Sequence, residues 1–311
     1  MLESRLLSRI EQKKAQLDLL RPLPGAAIAR LQDQILVEWI YNSNAIEGST
    51  ITLQETRLIL ETGLTIGGKS LREHFEVINH RDAIDYVENL VASPEPITPF
   101  QVRQIHKLVL SRIDDENASQ YRGTQVRIAG ASFIPPESWL IPNLMTEWGE
   151  WVISEEKISH PVTLAAIAHH RLVAIHPFVD GNGRTARLVM NLILMRAGYP
   201  PTVIQRINRR QYYRVLERAD AGKPTALVNF VGRAVERSLN LYLEACSPVI
   251  DPPKPDDEWI PLREATEGTP YSQEYLSLLA RTGRIEAVKL GRVWFTTRKA
   301  LGEYRKSVEK G

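Results

Sequence analysis

His176-Pro177-Phe178-Val179-Asp180-Gly181-Asn182-Gly183-Arg184-Thr185-Ala186-Arg187 is the stretch from which the fold is best read. On its N-terminal side, Pro161–Ile175 is almost wholly apolar, with Val162, Leu164, Ala165, Ala166, Ile167 and Ala168. On its C-terminal side, Thr185–Ala197 carries Leu188, Val189, Met190 and Leu192 to Met195. These fall on every side of a helix, which predicts a central, buried one. Gly198 supplies its stop, with Pro200 and Pro201 beyond. A loop this polar between two such helices needs a chemical reason.

The residue types point to an anion site. Gly181 and Gly183 let the backbone turn with its N–H groups inward, and a helix starting near Asn182 offers its positive end to a phosphate. Arg184 and Arg187, three apart, share a helix face and can grip neighbouring phosphates. Asp180 can hold a divalent cation between them, because Mg²⁺ favours one or two carboxylates plus phosphate oxygens. His176 titrates near neutral pH and suits a general base for a substrate hydroxyl. Each element alone has a plainer reading: His-Pro is usually structural, Gly-Asn-Gly usually a turn, and Asp-Gly-Asn-Gly could be a piece of a calcium loop. Their conjunction in one short segment favours the chemical reading.

Outward from the loop, helical periodicity runs through Arg30–Tyr41, Leu53–Glu61, Arg72–Val91, Ile141–Ser154, Gln211–Ala221 and Thr225–Leu243. Thr98 caps a helix that has Pro99 at its first position. Gln125–Pro136 reads as a short hairpin around Ala129-Gly130-Ala131-Ser132. Ser247–Asp257, with four prolines, reads as a stiff linker. Beyond it lies a compact piece with a strand at Trp259–Ile260, two helices, a hairpin turning at Gly291 and a last helix from Thr297.

Composition narrows the function classes. With 311 residues the chain can bury a sizeable core as two domains or one with appendages. A net charge of +2 confers no overall affinity for polyanions, so any nucleic-acid contact must be local. The single cysteine, Cys246, rules out an internal disulfide framework and fits a reducing compartment. Leu2–Leu20 alternates apolar and charged residues, unlike a signal peptide, and no apolar run is long enough to span a membrane. A soluble cytoplasmic protein is expected.

The loop resembles the Fic family signature H-P-F-x-[DE]-G-N-G-R-x-x-R, matched at every fixed position, and the likeness extends over roughly Leu31–Leu243. The resemblance implies an all-α fold, a helical bundle with a short β-hairpin flap, and transfer of AMP from ATP with Mg²⁺ to a Tyr, Thr or Ser hydroxyl of a target protein. In that reading His176 is the base, Asp180 binds the metal, Asn182 and Gly183 with neighbouring backbone amides hold the α-phosphate, and Gly181 and Thr185 belong to the same phosphate-binding loop. Arg184 and Arg187 take the β- and γ-phosphates. Ile128, Ala129, Gly130 and Ala131 form the flap that aligns the target segment. Tyr212 lines the adenosine pocket, and Asp220 stands where many relatives carry Asn. Ser43-Asn44-Ala45-Ile46-Glu47-Gly48 resembles the family's inhibitory motif [ST]-x-x-x-E-[GN], in which Glu47 would pair with Arg187 and force ATP into a non-productive pose.

Other candidates are weaker. His169 and His170, being adjacent, point to different helix faces and are read as structural. Gly63–Ser70 meets the letters of a phosphate loop, yet no buried strand precedes it. Trp148 and Trp151 are read as core. From Leu279 to Gly311, nine Lys/Arg face three acids, a balance of +6, and the piece resembles a small winged helix-turn-helix able to dock on DNA phosphates, or else a protein-docking module. The expected division is 1–95 for an N-terminal helical region with the brake, 96–246 for the catalytic domain, 247–257 for the linker and 258–311 for the winged-helix domain. A homodimer is left open. The rival functions are another transfer, such as phosphate, on the same fold, and a DNA-binding regulator with a degenerate catalytic domain.

Overall fold

The computed structural model describes residues 2–23, 25–127, 133–246, 259–267, 269–282, 284–290 and 293–308. The chain divides into two compact units, Met1–Cys246 and Ser247–Gly311.

Among the described residues ten α-helices build the first unit: α1 Ser4–Leu19, α2 Gly25–Glu47, α3 Leu53–Thr62, α4 Leu71–Val91, α5 Pro99–Leu110, α6 Ile141–Glu155, α7 Pro161–Ile175, α8 Asn182–Arg196, α9 Arg209–Asp220 and α10 Thr225–Cys246. Local chemistry fixes several of their starts. Thr52 with Glu55, Ser70 with Glu73 and Thr98 with Gln101 form reciprocal capping boxes at α3, α4 and α5, each cap contributing about 1 kcal/mol. The Gly63–Ser70 segment is therefore a helix entry: Ser70 caps α4, and Lys69 Nζ donates to the Thr50 carbonyl at 2.7 Å.

The core gathers around α8. Leu188, Val189, Met190, Leu192 and Leu194 are all fully buried, so the helix is apolar on every side because protein surrounds it. α7 packs along it, with α4, α5 and α2 on other faces, while α1 lies on α10. Trp148 belongs to this core, its indole N–H donating to the Ala168 carbonyl at 3.1 Å.

α2 runs further than periodicity predicts, past Tyr41 to Glu47, where Gly48 ends it with φ +111°. Its last turn is polar yet buried, because those side chains fasten it. Asn42 Oδ1 accepts from the Arg206 amide at 2.8 Å, and Asn44 Nδ2 donates to the Glu76 carbonyl of α4 at 3.1 Å.

The expected hairpin residues Ile128, Ala129, Gly130 and Ala131 lie outside the described residues. Their flanks are tied together: Gln125 Nε2 donates to the Pro135 carbonyl at 2.8 Å and Arg122 Nη2 to the Pro136 carbonyl at 2.6 Å.

The second unit contains β1 Trp259–Pro261, α11 Leu262–Ala265, α12 Gln273–Arg281, β2 Ala287–Leu290, β3 Val293–Thr297 and α13 Arg298–Val308. The strands form an antiparallel sheet in the order β1-β3-β2, with Ile260 opposite Thr296 and Val288 opposite Phe295. Leu262, Leu276, Leu279 and Leu301 fill its own small core. The Gly291 turn and the 247–257 segment lie outside the described residues.

Candidate active site

α7 ends where His176 adopts the left-handed conformation, φ +50° and ψ 59°, its amide reaching back to the Leu172 carbonyl at 3.1 Å. A non-glycine residue there costs about 1–3 kcal/mol and persists only when its surroundings impose it. They do. Arg122, itself buried, donates from Nε to the His176 carbonyl at 2.8 Å and from its amide to the Pro177 carbonyl at 2.9 Å. Phe178 is fully buried and stacks on His106 with ring centroids 3.6 Å apart. The Asn182 side chain brackets Phe178, accepting from its amide and donating to its carbonyl, each at 2.9 Å. His106 Nδ1 accepts from the Ser119 amide at 3.0 Å, so its Nε2 carries the proton and donates to the Asp180 carbonyl at 3.0 Å.

Gly181 turns the chain into α8 with φ +74°, and a Cβ there would lie 3.3 Å from Val109 and 3.4 Å from His106. Both reasons call for glycine. At Gly183 an added Cβ would come within 2.2 Å of Glu47 Oε1. The Glu47 carboxylate thus sits over the N-terminus of α8, where an anion would bind.

His176 Nδ1 lies 3.3 Å from the Val173 carbonyl, which can only accept. Nδ1 therefore carries the proton and Nε2 keeps its lone pair, the form a base requires. Burial pushes the ring below its ordinary value and the nearby Arg122 guanidinium adds to this, against the opposing pull of Val173, Glu47 and Asp180. His176 is thus neutral at physiological pH.

Both loop arginines are 3% exposed, and each is held by a carboxylate from the N-terminal helices. Arg187 Nη1 meets Glu47 Oε1 at 2.8 Å, while its Nε and Nη2 donate to the Ser43 hydroxyl at 3.1 Å and carbonyl at 2.8 Å. Arg184 lies 3.3 Å from Glu76 and 3.3 Å from Asp180. Burial alone would raise the Asp180 carboxyl, but Arg184, the Gly181 amide and Arg72 outweigh it and hold it below the usual carboxylate range.

These groups open onto a cleft of about 400 Å³, lined by His176, Asp180, Gly181, Asn182, Gly183, Arg184, Arg187, Tyr212 and Glu47, a size that suits a nucleotide. A larger hollow of about 590 Å³ beyond Arg209 carries no residue of the loop. Tyr212 is buried and shares a hydrogen bond with His169 Nε2 at 2.8 Å. Three of the expected residues are placed as follows. The Asn182 side chain is spent on Phe178, leaving its backbone to face the cleft. Thr185 is fully buried and does not line the cleft. Asp220 pairs with His170 at 2.8 Å and does not line it either. Arg127, Val173, Arg209, Tyr213 and Leu216 also line the cleft, and no sequence motif marks them.

Among the described residues no group of three or more His, Cys, Asp or Glu could hold a metal. The half-exposed Asp180 beside two arginines fits Mg²⁺, which is usually held by a carboxylate together with nucleotide phosphates.

The site rests on buried neutral histidines, and this has a measurable consequence. Burial depresses His106 to about 4, His169 to about 3 and His80 well below its ordinary value. Below about pH 6.5 the unfolded chain binds protons that the folded one refuses. Stability is therefore complete above that pH and is lost as pH falls toward 4. Three such groups give a slope of about 4 kcal/mol per pH unit, on the order of 10 °C in Tm. Calorimetry at pH 7, 6 and 5 should show the fall below pH 6.5; an unchanged Tm would contradict it.

The Fic/DOC family pattern matches residues 96–194. A Nematostella vectensis protein named protein adenylyltransferase Fic is 40% identical over 244 residues, 78% of this chain and 56% of the relative. An Aedes aegypti protein of the same name is 37% identical over 297 residues, 94% and 58% respectively. The chain spans a little over half the length of these curated relatives. A Fic-domain signalling protein from Bacteroides thetaiotaomicron superposes with a TM-score of 0.73 at 30% identity, covering 76% of this chain and 96% of that one. Fic-1 from C. elegans gives 0.70 at 33% identity, covering 78% and 71%. With the loop in place and the helical bundle shared with these structures, the chain belongs to the Fic/DOC family.

Proposed function

We propose that this chain is a protein adenylyltransferase, moving AMP from ATP to a Tyr, Thr or Ser hydroxyl of a target protein and restrained by Glu47. The observation that carries the reading is the neutral His176, its Nε2 lone pair free, at the mouth of a cleft whose floor is two buried arginines and a helix N-terminus. The naming of the Nematostella and Aedes relatives as adenylyltransferases supports it.

His176 Nε2 takes the proton of the target hydroxyl as its oxygen forms a bond to the α-phosphorus. The bond from that phosphorus to the bridging oxygen breaks, and pyrophosphate leaves. Backbone amides at Asn182 and Gly183 stabilise the α-phosphate oxygens, while Arg184 and Arg187 neutralise the leaving phosphates. Mg²⁺ held by Asp180 would supply further charge neutralisation there. The 128–131 segment is read as the flap that aligns the target chain by strand addition. Arg187 cannot serve a γ-phosphate while Glu47 holds it, so ATP then sits badly for transfer. In this reading residues 1–95 carry the brake and 96–246 the chemistry.

The test is incubation of the Glu47→Gly protein with ATP labelled at the α- or at the γ-phosphorus. Incorporation of the α label alone is expected; incorporation of the γ label alone would mean phosphate transfer.

The second unit is read as a winged-helix module docking on DNA backbone, because Arg281, Arg284, Arg298, Lys299, Arg305 and Lys306 are all exposed on it. The full chain should raise the anisotropy of a labelled mixed-sequence duplex in 50 mM salt and lose most of that binding in 200 mM. No binding in 50 mM salt would leave protein docking instead.

A further inference from the structure

α4 presents Arg72 and Glu76 to the loop four residues apart, and the loop presents Asp180 and Arg184 with the same spacing. The four form a closed ring of alternating charge. Arg72 meets Glu76 at 3.5 Å and Asp180 at 2.6 Å, and Arg184 meets Glu76 at 3.3 Å and Asp180 at 3.3 Å. The ring has a fixed side and a loose side. Arg184 and Glu76 are 3% and 14% exposed, while Asp180 and Arg72 are 45% and 56% exposed. A buried pair is costly to separate, whereas a half-exposed one exchanges readily with solvent and ions. The ring therefore opens at Arg72–Asp180, on the one loop carboxylate that lines the cleft.

We propose that Arg72 competes with the divalent cation for Asp180 and so sets the metal concentration at which the site loads. The inference rests on reading Asp180 as the metal-holding carboxylate. A guanidinium seated on Asp180 Oδ2 occupies the oxygen a cation would take, and it must swing outward before the metal enters. Arg184 stays behind on Glu76 and keeps its place for a phosphate. Arg72 is a positioning residue for loading, since it touches no reacting atom and does not line the cleft.

The experiment uses the full chain carrying Glu47→Gly, with α,β-methylene ATP bound, titrated with Mn²⁺ while the signal of the free ion is followed by electron paramagnetic resonance. Arg72→Ala should lower the half-saturating Mn²⁺ concentration by about threefold, the scale of an exposed ion pair. Arg72→Glu, which adds a second carboxylate, should lower it further. Equal affinities in Arg72→Ala, Arg72→Glu and the parent would overturn the proposal, as would weaker binding in both. Asp180→Asn is the separate check on the underlying reading. It should abolish the bound fraction, and unaltered Mn²⁺ binding in that variant would remove Asp180 as the ligand whatever Arg72 does.

Discussion

Replacing His176 with alanine in the Glu47→Gly background is expected to lower AMP transfer by about 10²–10⁴-fold, the usual contribution of a positioned base. The loop should otherwise survive. Its shape is held by contacts that do not use the imidazole: Arg122 on the His176 and Pro177 carbonyls, Asn182 around Phe178, and His106 on the Asp180 carbonyl. The α8 N-terminus and both arginines would still be in place, so ATP should bind with little change while turnover collapses. Nucleotide binding and initial rate measured on the same sample separate the two effects. A rate within a factor of a few of the parent would remove His176 as the base.

The second large effect has the opposite sign. Glu47→Gly is expected to raise self-modification by about 10–100-fold, the range of a charge-assisted contact worth about 1.5–3 kcal/mol. In the resting protein the Glu47 carboxylate occupies Arg187 Nη1 at 2.8 Å and crowds the space above Gly183. Its removal frees both the arginine and the helix N-terminus. It also leaves a buried guanidinium without that carboxylate, held by Ser43 and beside the Tyr212 hydroxyl, so the variant should melt below wild type without nucleotide. ATP should restore much of that loss, because its phosphates replace the missing carboxylate and binding favours the folded state. Unchanged self-modification, with ATP binding intact, would mean that the contact does not restrain the site.

The loop was legible because its chemistry is written in adjacent residues. His176, Asp180, Gly183, Arg184 and Arg187 all reach one cleft, as their spacing implies. The scaffold behind them was not. Arg122 and His106 lie far from the loop in sequence, and nothing around either sets it apart from an ordinary polar residue until the fold brings them together. The last turn of α2 escaped the periodic pattern because Asn42, Ser43 and Asn44 are buried for their hydrogen bonds and not for their hydrophobicity. Thr185 and Asp220 show placement departing from the motif. Sequence proximity to the motif, or a family position, suggested ligand contact, yet helix geometry turns Thr185 into the core and gives Asp220 to His170. Arg72 and Glu76 lie four apart on α4 with no motif to mark them, and only the packing of α4 against α8 closes their ring with the loop.

Intact mass of wild type, Glu47→Gly and Glu47→Gly/His176→Ala, each incubated with Mg²⁺ and ATP, is the measurement to make. A gain of one or more AMP in the Glu47→Gly protein, with little in wild type and none in the double variant, is the expected result. The same AMP gain in all three proteins would contradict both the assigned base and the assigned brake, and a gain of phosphate would contradict the chemistry itself.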